Sequence, residues 1–289
     1  MKIAVFGNSF LKERAPKAGQ ILNKLQSHGV KLLVDETFFR FLNDNGGGIA
    51  TPESLIMDDH FSADIALSLG GDGTFLQTAM MVGDKGIPVL GINMGRLGFL
   101  ADVTLEETDE LIEDLMSGNY LVEERSLLQM LSSSSDITFN VALNDIAVLK
   151  RDTSSLINIY AEINGHFLNS YQADGLVIAT PTGSTAYSLS VGGPIIVPDS
   201  NAVILTPVAP HSLNVRPLVI SNENEITLTV TGRARNFLVA IDGRSSTISN
   251  GEKLVIRKAG YTLKVVKRTN GSFFNTLREK LMWGADKRI

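Results

Sequence analysis

There is no cysteine in the 289 residues, which removes disulfides, thiolate zinc sites and a cysteine nucleophile from consideration. Histidine is sparse. His28, His60, His166 and His211 lie far apart, without the i, i+4 spacing of a helical metal pair. No apolar run approaches the ~20 residues that a membrane helix needs, and the run that opens the chain, Met1 to Gly7, is too short for a secretory signal. Positive charge is not concentrated either. The net charge is -5, and the 26 Lys and Arg are scattered in groups no denser than Lys264–Arg268, so the basic face that nucleic acid requires is missing. With 44% apolar and 20% charged residues, the chain is expected to be a soluble, cytoplasmic protein with an ample core and no membrane or nucleic-acid partner.

The first hundred residues alternate strand-like and helix-like segments. Lys2 to Phe6 reads as a strand ending at Gly7, and Ala18, Ile21, Leu22 and Leu25 recur at helical spacing before a capping Gly29. Val30–Val34, Ile65–Leu69 and Ile87–Ile92 read as further strands, and Thr74–Val82 as a helix. Residues 43–54, with Asn45-Gly46-Gly47-Gly48 and Pro52, read as a loop. This alternation predicts a parallel sheet covered by helices. Thr104 and Glu107 form a capping-box pattern ahead of the apolar stripe Leu111, Ile112, Leu115 and Met116, with Gly118 at its end. Beyond about residue 120, β-branched runs such as Ile137–Leu149, Leu156–Ile163, Glu225–Thr231, Phe237–Ile241 and Lys253–Ile256 alternate with turn signals at Asn164-Gly165, Asp242-Gly243 and Asn250-Gly251. They predict an all-β sandwich or layered sheet. Phe274, Leu277 and Leu281 return to helical spacing, and a lone amphipathic helix needs a surface, so it is expected to return to the first domain. The expected division is an α/β domain over 1–100 plus 271–289 and a mainly β domain over 101–270. Met80-Met81 and Trp283 are expected to be packing residues, His28 a surface or capping residue, and His211 structural.

Three runs carry chemistry. Gly70-Gly71-Asp72-Gly73-Thr74 lies between a strand and a helix, where glycines let a ligand approach the backbone and the helix N-terminus suits phosphate. An aspartate there is either a helix cap or a base that takes a proton from a hydroxyl nucleophile. Asn144-Asp145 interrupts an apolar strand. The pair either caps a bulge or meets sugar hydroxyls, since one group can donate while the other accepts. Asp174–Ser188 leads from a strand into a loop dense in hydroxyls, closed by Gly192-Gly193-Pro194. Such a loop suits a nucleotide and its phosphates, or else satisfies its own backbone.

These runs, in this order, together with Asn93–Leu100, Pro207–His211 and Val239–Gly243, resemble the NAD kinase family, including bacterial enzymes that use ATP or polyphosphate. The resemblance covers nearly the whole chain. It implies transfer of a phosphoryl group from ATP or polyphosphate to the 2′-hydroxyl of the adenosine ribose of NAD, giving NADP, with Asp72 activating that hydroxyl. It also implies a phosphate loop of Gly70, Gly71 and Thr74, with Gly73 admitting the substrate phosphates and Phe99 against the nicotinamide end. Asn144 and Asp145 would bind ribose. Asp174, Thr185, Ala186, Tyr187, Ser188 and Ser190 would hold the two ends of the dinucleotide, partly across a subunit boundary. Ala209 would shape the adenine pocket, and Asp242 and Arg244 would line the last segment. No dedicated metal site is expected, Mg²⁺ arriving with the phosphoryl donor, and the family implies homodimers or homotetramers. The chain departs from the commonest pattern at Asp145, where many members carry glutamate. It departs again at Ser155 and Gln172, where many bacterial members carry basic or imidazole side chains, a loss for which Arg244 offers a compensating charge.

Overall fold

The computed structural model describes residues 1–10, 12–95, 98–101, 103–132, 140–151, 156–269 and 271–284. Arg96 and Leu97 of the Asn93–Leu100 run, and Ser155, lie outside the described residues. The chain divides into two units, Met1–Glu124 with Leu263–Ile289, and Arg125–Thr262.

In the first unit, β1 (Lys2–Gly7) is followed by α1 (Ala15–Ser27), which has proline in its first turn and buries Ala18, Ile21, Leu22 and Leu25 as the spacing predicts. Gly29, at φ +77°, supplies the left-handed residue that ends it. β2 (Lys31–Asp35) leads directly into α2 (Glu36–Asp44). The carboxylate of Asp35 caps α2 by accepting from the Phe38 N–H at 2.8 Å, and Phe38 and Leu42, one turn apart, are buried. This helix, unassigned in the sequence reading, takes in the first residues of the expected loop, and β3 (Ser54–Ile56) follows. β4 (Ile65–Gly70) is buried along its whole length, and α3 (Asp72–Val82) starts two residues ahead of the expected Thr74. β5 (Val89–Asn93) and α4 (Thr108–Ser117) follow. Half of the capping box is present, since Glu107 accepts from the Thr104 N–H at 2.8 Å.

The strands run parallel in the order β3-β2-β1-β4-β5. The chain builds outward from β1 to β3 and then crosses to β4 on the other side of β1, and ligands of open α/β sheets bind beyond the carboxyl ends of strands at such a reversal. The glycine run follows β4 at that point.

The second unit is antiparallel. Its strands are β6 (Tyr120–Leu131, whose first residues belong to the first unit), β7 (Val141–Ala142), β8 (Asp145–Lys150), β9 (Ile157–Ile163), β10 (His166–Ala173) and β11 (Gly175–Ala179). A short helix, α5 (Tyr187–Ser190), precedes β12 (Ala202–Val208), β13 (Leu218–Ser221), β14 (Ile226–Thr231), β15 (Asn236–Ile241), β16 (Arg244–Ser249) and β17 (Lys253–Arg268). One sheet orders as β10-β9-β14-β17, with β6 pairing β17 and β7. The other orders as β13-β12-β11-β8-β15-β16. Leu128, Ile159, Leu228 and Leu254 of the first sheet share a core with Ile146, Ile178, Leu205 and Phe237 of the second, which makes this unit a sandwich. β8 and β11 read as continuous apolar runs because Ala147, Val177, Ala179 and Ile204 bury the other face of the second sheet against Val191 and Ile196.

The last residues of β17 return to the first unit, where Val265 pairs with Val89 of β5, and α6 (Phe273–Leu281) completes that unit. The fold class is therefore the expected one, with an α/β domain on a parallel sheet, an antiparallel β domain and a C-terminal helix returning to the first. The first unit extends to Glu124, past the expected residue 100, because α4 buries Leu111, Ile112 and Leu115 in the core of the parallel sheet. Arg268 also ties β17 to Glu107, Glu110 and Asp114 beside and along α4. Two packing expectations are corrected. Met80, on α3, is 37% exposed, and Trp283, two residues past the end of α6, is 58% exposed.

Candidate active site

In the first unit, Gly71 is the N-cap of α3 and Asp72 its first residue. A Cβ on Gly70 would lie 2.2 Å from Oγ1 of Thr74, whereas one on Gly71 or Gly73 would meet nothing within 4 Å. Gly70 is thus required by packing, and the other two glycines leave the approach to the loop open. The Asp72 side chain faces back across the loop that follows β5. Its Oδ2 accepts from the Phe99 N–H at 3.0 Å, and its Oδ1 from Leu100 and Ala101 at 3.0 and 3.2 Å. That loop is itself held by Asn93, whose Nδ2 donates to Ala101 O at 3.2 Å and whose Oδ1 accepts from the Gly95 N–H at 2.7 Å. The Asp72 side chain keeps 32% of its surface exposed, and the Lys280 ammonium lies 3.4 Å from Oδ2. The structure thus brings Gly70, Gly71, Asp72, Gly73, Thr74 and Phe99 together, and adds Lys280 from α6.

In the second unit the structure sorts the expected residues into two groups at opposite ends of the β8–β11 pair. At the start of β8, the Asp242 carboxylate accepts from the N–H groups of Leu143, Asn144 and Asp145 at 2.8, 2.8 and 3.1 Å. Asp242 has φ +48°, followed by Gly243 at +80°, the two-residue hairpin turn predicted from Asp-Gly. Burial raises the Asp145 carboxyl to about 7, with the nearby Asp242 charge adding to the effect. Burial also raises Asp242, against the pull of the three backbone N–H groups and Arg244. Asn144-Asp145 therefore starts a strand, and its backbone is tied by a carboxylate from another hairpin.

Ala179, at the end of β11, pairs with Asp145, which brings the hydroxyl-rich loop to the same end. Thr180 Oγ1 donates to Leu143 O at 2.6 Å and accepts from the Gly183 N–H at 3.0 Å. Part of the loop satisfies itself. Ser184 Oγ bonds both backbone groups of Ile196, and the fully buried Ser188 hydroxyl pairs with Thr206 at 3.0 Å. Thr185 and Ala186 are half-buried, while Tyr187 and Ser190 are exposed.

Asp174 is at the other end, ion-paired with Lys150 at 2.6 Å. Its N–H donates to Val208 O at 3.0 Å, which sets it beside Ala209, exposed and in the left-handed region at φ +43°. Gln172, whose carbonyl accepts from the His211 N–H at 2.8 Å, is at this end too. From Asp145 to Lys150 the strand covers about 17 Å at ~3.3 Å per residue, so one chain does not gather Asp174 and Ala209 with Asn144 and Asp145.

Among the described residues, the one group of three or more His, Asp or Glu with convergent ligand atoms is Asp58-Asp59-His60, all exposed. The Asp72 carboxylate is met by the N–H groups of Phe99, Leu100 and Ala101 and by the Lys280 ammonium. Sequence reasoning missed Lys150, Thr180 and Lys280. Thr180, a hydroxyl at a strand end before Pro181, could have been found. A lysine in a helix's last turn carries no signal.

Residues 12–120 match the ATP-NAD kinase N-terminal domain and residues 143–268 the ATP-NAD kinase C-terminal domain. The chain is 55% identical to an NAD kinase of Bacteroides fragilis and 42% identical to one of Flavobacterium johnsoniae, each over 100% of both chains. Among solved structures, an NAD kinase from Archaeoglobus fulgidus in complex with ATP superposes with a TM-score of 0.73 at 25% identity, over 98% of this chain and 99% of that one. A yeast NADH kinase complexed with NADH shares the fold, with a TM-score of 0.89 at 24% identity over 100% of this chain and 89% of that one. The chain belongs to the NAD kinase family and is an enzyme of that class.

Proposed function

We propose that this protein transfers a phosphoryl group from ATP or polyphosphate to the 2′-hydroxyl of the adenosine ribose of NAD, with Asp72 as general base. The observation that carries the reading is the setting of the Asp72 carboxylate. It is oriented by the N–H groups of Phe99, Leu100 and Ala101, yet one-third exposed beside the open glycines 71 and 73. A cap alone would need no such orientation from a second loop. As the O2′–P bond forms, the proton passes to Asp72 and the bridging P–O bond breaks, its electrons leaving on ADP or the shortened polyphosphate. The enzyme contributes alignment and charge neutralisation. Mg²⁺ would come with the donor phosphates and supply further neutralisation there.

Asn144 and Asp145 are the groups suited to the ribose, with Tyr187 exposed for stacking. The separation of Asp174 and Ala209 from Asn144 and Asp145 supports a homo-oligomer in which these two groups come from different copies. The test is NADP formation from NAD with Mg²⁺ and either ATP or polyphosphate, read with an NADP-specific dehydrogenase. NADP with one or both donors is expected. Its absence from folded, NAD-binding protein would sink the reading.

A further inference from the structure

Lys280 reaches Asp72 from a helix whose place is fixed. Ser272 caps α6 by accepting from the Phe274 N–H at 3.3 Å, Leu277 is buried, and Phe273 lies against Phe99 with ring centroids 6.4 Å apart. From there the Lys280 ammonium sits 3.4 Å from Asp72 Oδ2 and 4.5 Å from the centroid of the Phe99 ring. At that distance, with both side chains about one-third exposed, the pair adds little to stability. Its location says more. Oδ1 already accepts two N–H groups and Oδ2 one, so the ammonium occupies acceptor capacity on Oδ2 that a hydroxyl needs if Asp72 is to take its proton.

We propose that Lys280 is a further catalytic residue, which leaves Asp72 when the 2′-hydroxyl binds and neutralises the phosphoryl group that this hydroxyl attacks. The inference rests on the reading of Asp72 as the base. A phosphoryl group brought up to an ionised carboxylate is repelled by it, and a cation already stored at that carboxylate is within side-chain reach of the incoming charge. The four-carbon stem gives the ammonium room to swing, with the Phe99 ring as an apolar, cation-favouring wall. Lys280 keeps its proton throughout. The hydroxyl proton goes to Asp72, and the leaving group carries off the electron pair of the broken P–O bond.

The experiment compares wild type, Lys280→Met, Lys280→Arg and the exposed same-helix control Glu279→Gln, in steady state with NAD and Mg·ATP, beside thermal melting of each. Removal of one such charge-stabilising group costs about 100-fold or more in kcat. Lys280→Met is expected to lose that much with little change in KM for NAD and an unchanged melting temperature, Lys280→Arg to recover part of it, and Glu279→Gln to match wild type. A Lys280→Met enzyme with near-normal kcat overturns the proposal, as does a loss that follows a lowered melting temperature and is not relieved by arginine. A wild type that forms no NADP sinks the underlying reading and this proposal with it. An active wild type beside an active Lys280→Met sinks the proposal alone.

Discussion

A side-chain carbon on Gly98 would lie 2.0 Å from Oδ1 of Asp72 and 3.1 Å from the carbonyl oxygen of Ala101. Gly98 is thus the space into which the carboxylate folds to collect its backbone N–H groups. Gly98→Ala is expected to push Asp72 off these partners and lower kcat by about 10- to 100-fold, as small displacements of reacting groups do, with melting nearly unchanged. Turnover equal to wild type would show that the orientation of Asp72 is immaterial.

Gly183 stands to Asn144 as Gly98 does to Asp72, except that the obstacle is rigid. A Cβ there would sit 2.0 Å from the Asn144 carbonyl oxygen, between the loop after β11 and the start of β8. Overpacking against backbone costs about 1–3 kcal/mol. Gly183→Ala should therefore lower the melting temperature and weaken NAD binding together, which denaturant unfolding and calorimetry would register. Wild-type stability would contradict the close approach.

The Asp145 carboxyl, raised from 3.8 to about 7 by burial and then by Asp242, sets a pH dependence. Because the folded value is the higher one, the protonated form is favoured by folding. That stabilisation is complete below about pH 4 and is lost as pH rises through about 7. Above it the fold carries a buried charge at a cost on the order of 4 kcal/mol, from ~1.4 kcal/mol per pH unit over the shift from 3.8 to about 7. Asp145→Asn is expected to be the more stable protein at pH 8, with the difference shrinking toward pH 4. Urea unfolding at the two pH values checks this, and a difference that grows toward pH 4 would contradict it.

Much of this was legible in the sequence because it is local. The glycine run between β4 and α3, the Asp242-Gly243 turn and the stripe of α1 each follow from neighbouring residues. α2 went unassigned although Asp35, Phe38 and Leu42 carry its cap and apolar face, since an aromatic-rich segment running into a glycine stretch masks the period. What sequence could not supply is long-range pairing. The three N–H groups on Asp72 come from residues 27 to 29 positions away, and Lys280 from 208 away. The separation of Asp174 from Asn144 appears only once β8 and β11 are set in register.

The most direct measurement is the turnover of Asp72→Asn in the NADP assay, with melting and NAD binding measured on the same preparation. A general base accounts for about 100- to 10,000-fold in rate. The account therefore predicts a loss of that order in protein that still folds and binds NAD. Turnover within a few-fold of wild type would contradict it, leaving Asp72 as an anchor for the backbone N–H groups of Phe99, Leu100 and Ala101 and the base to be sought elsewhere.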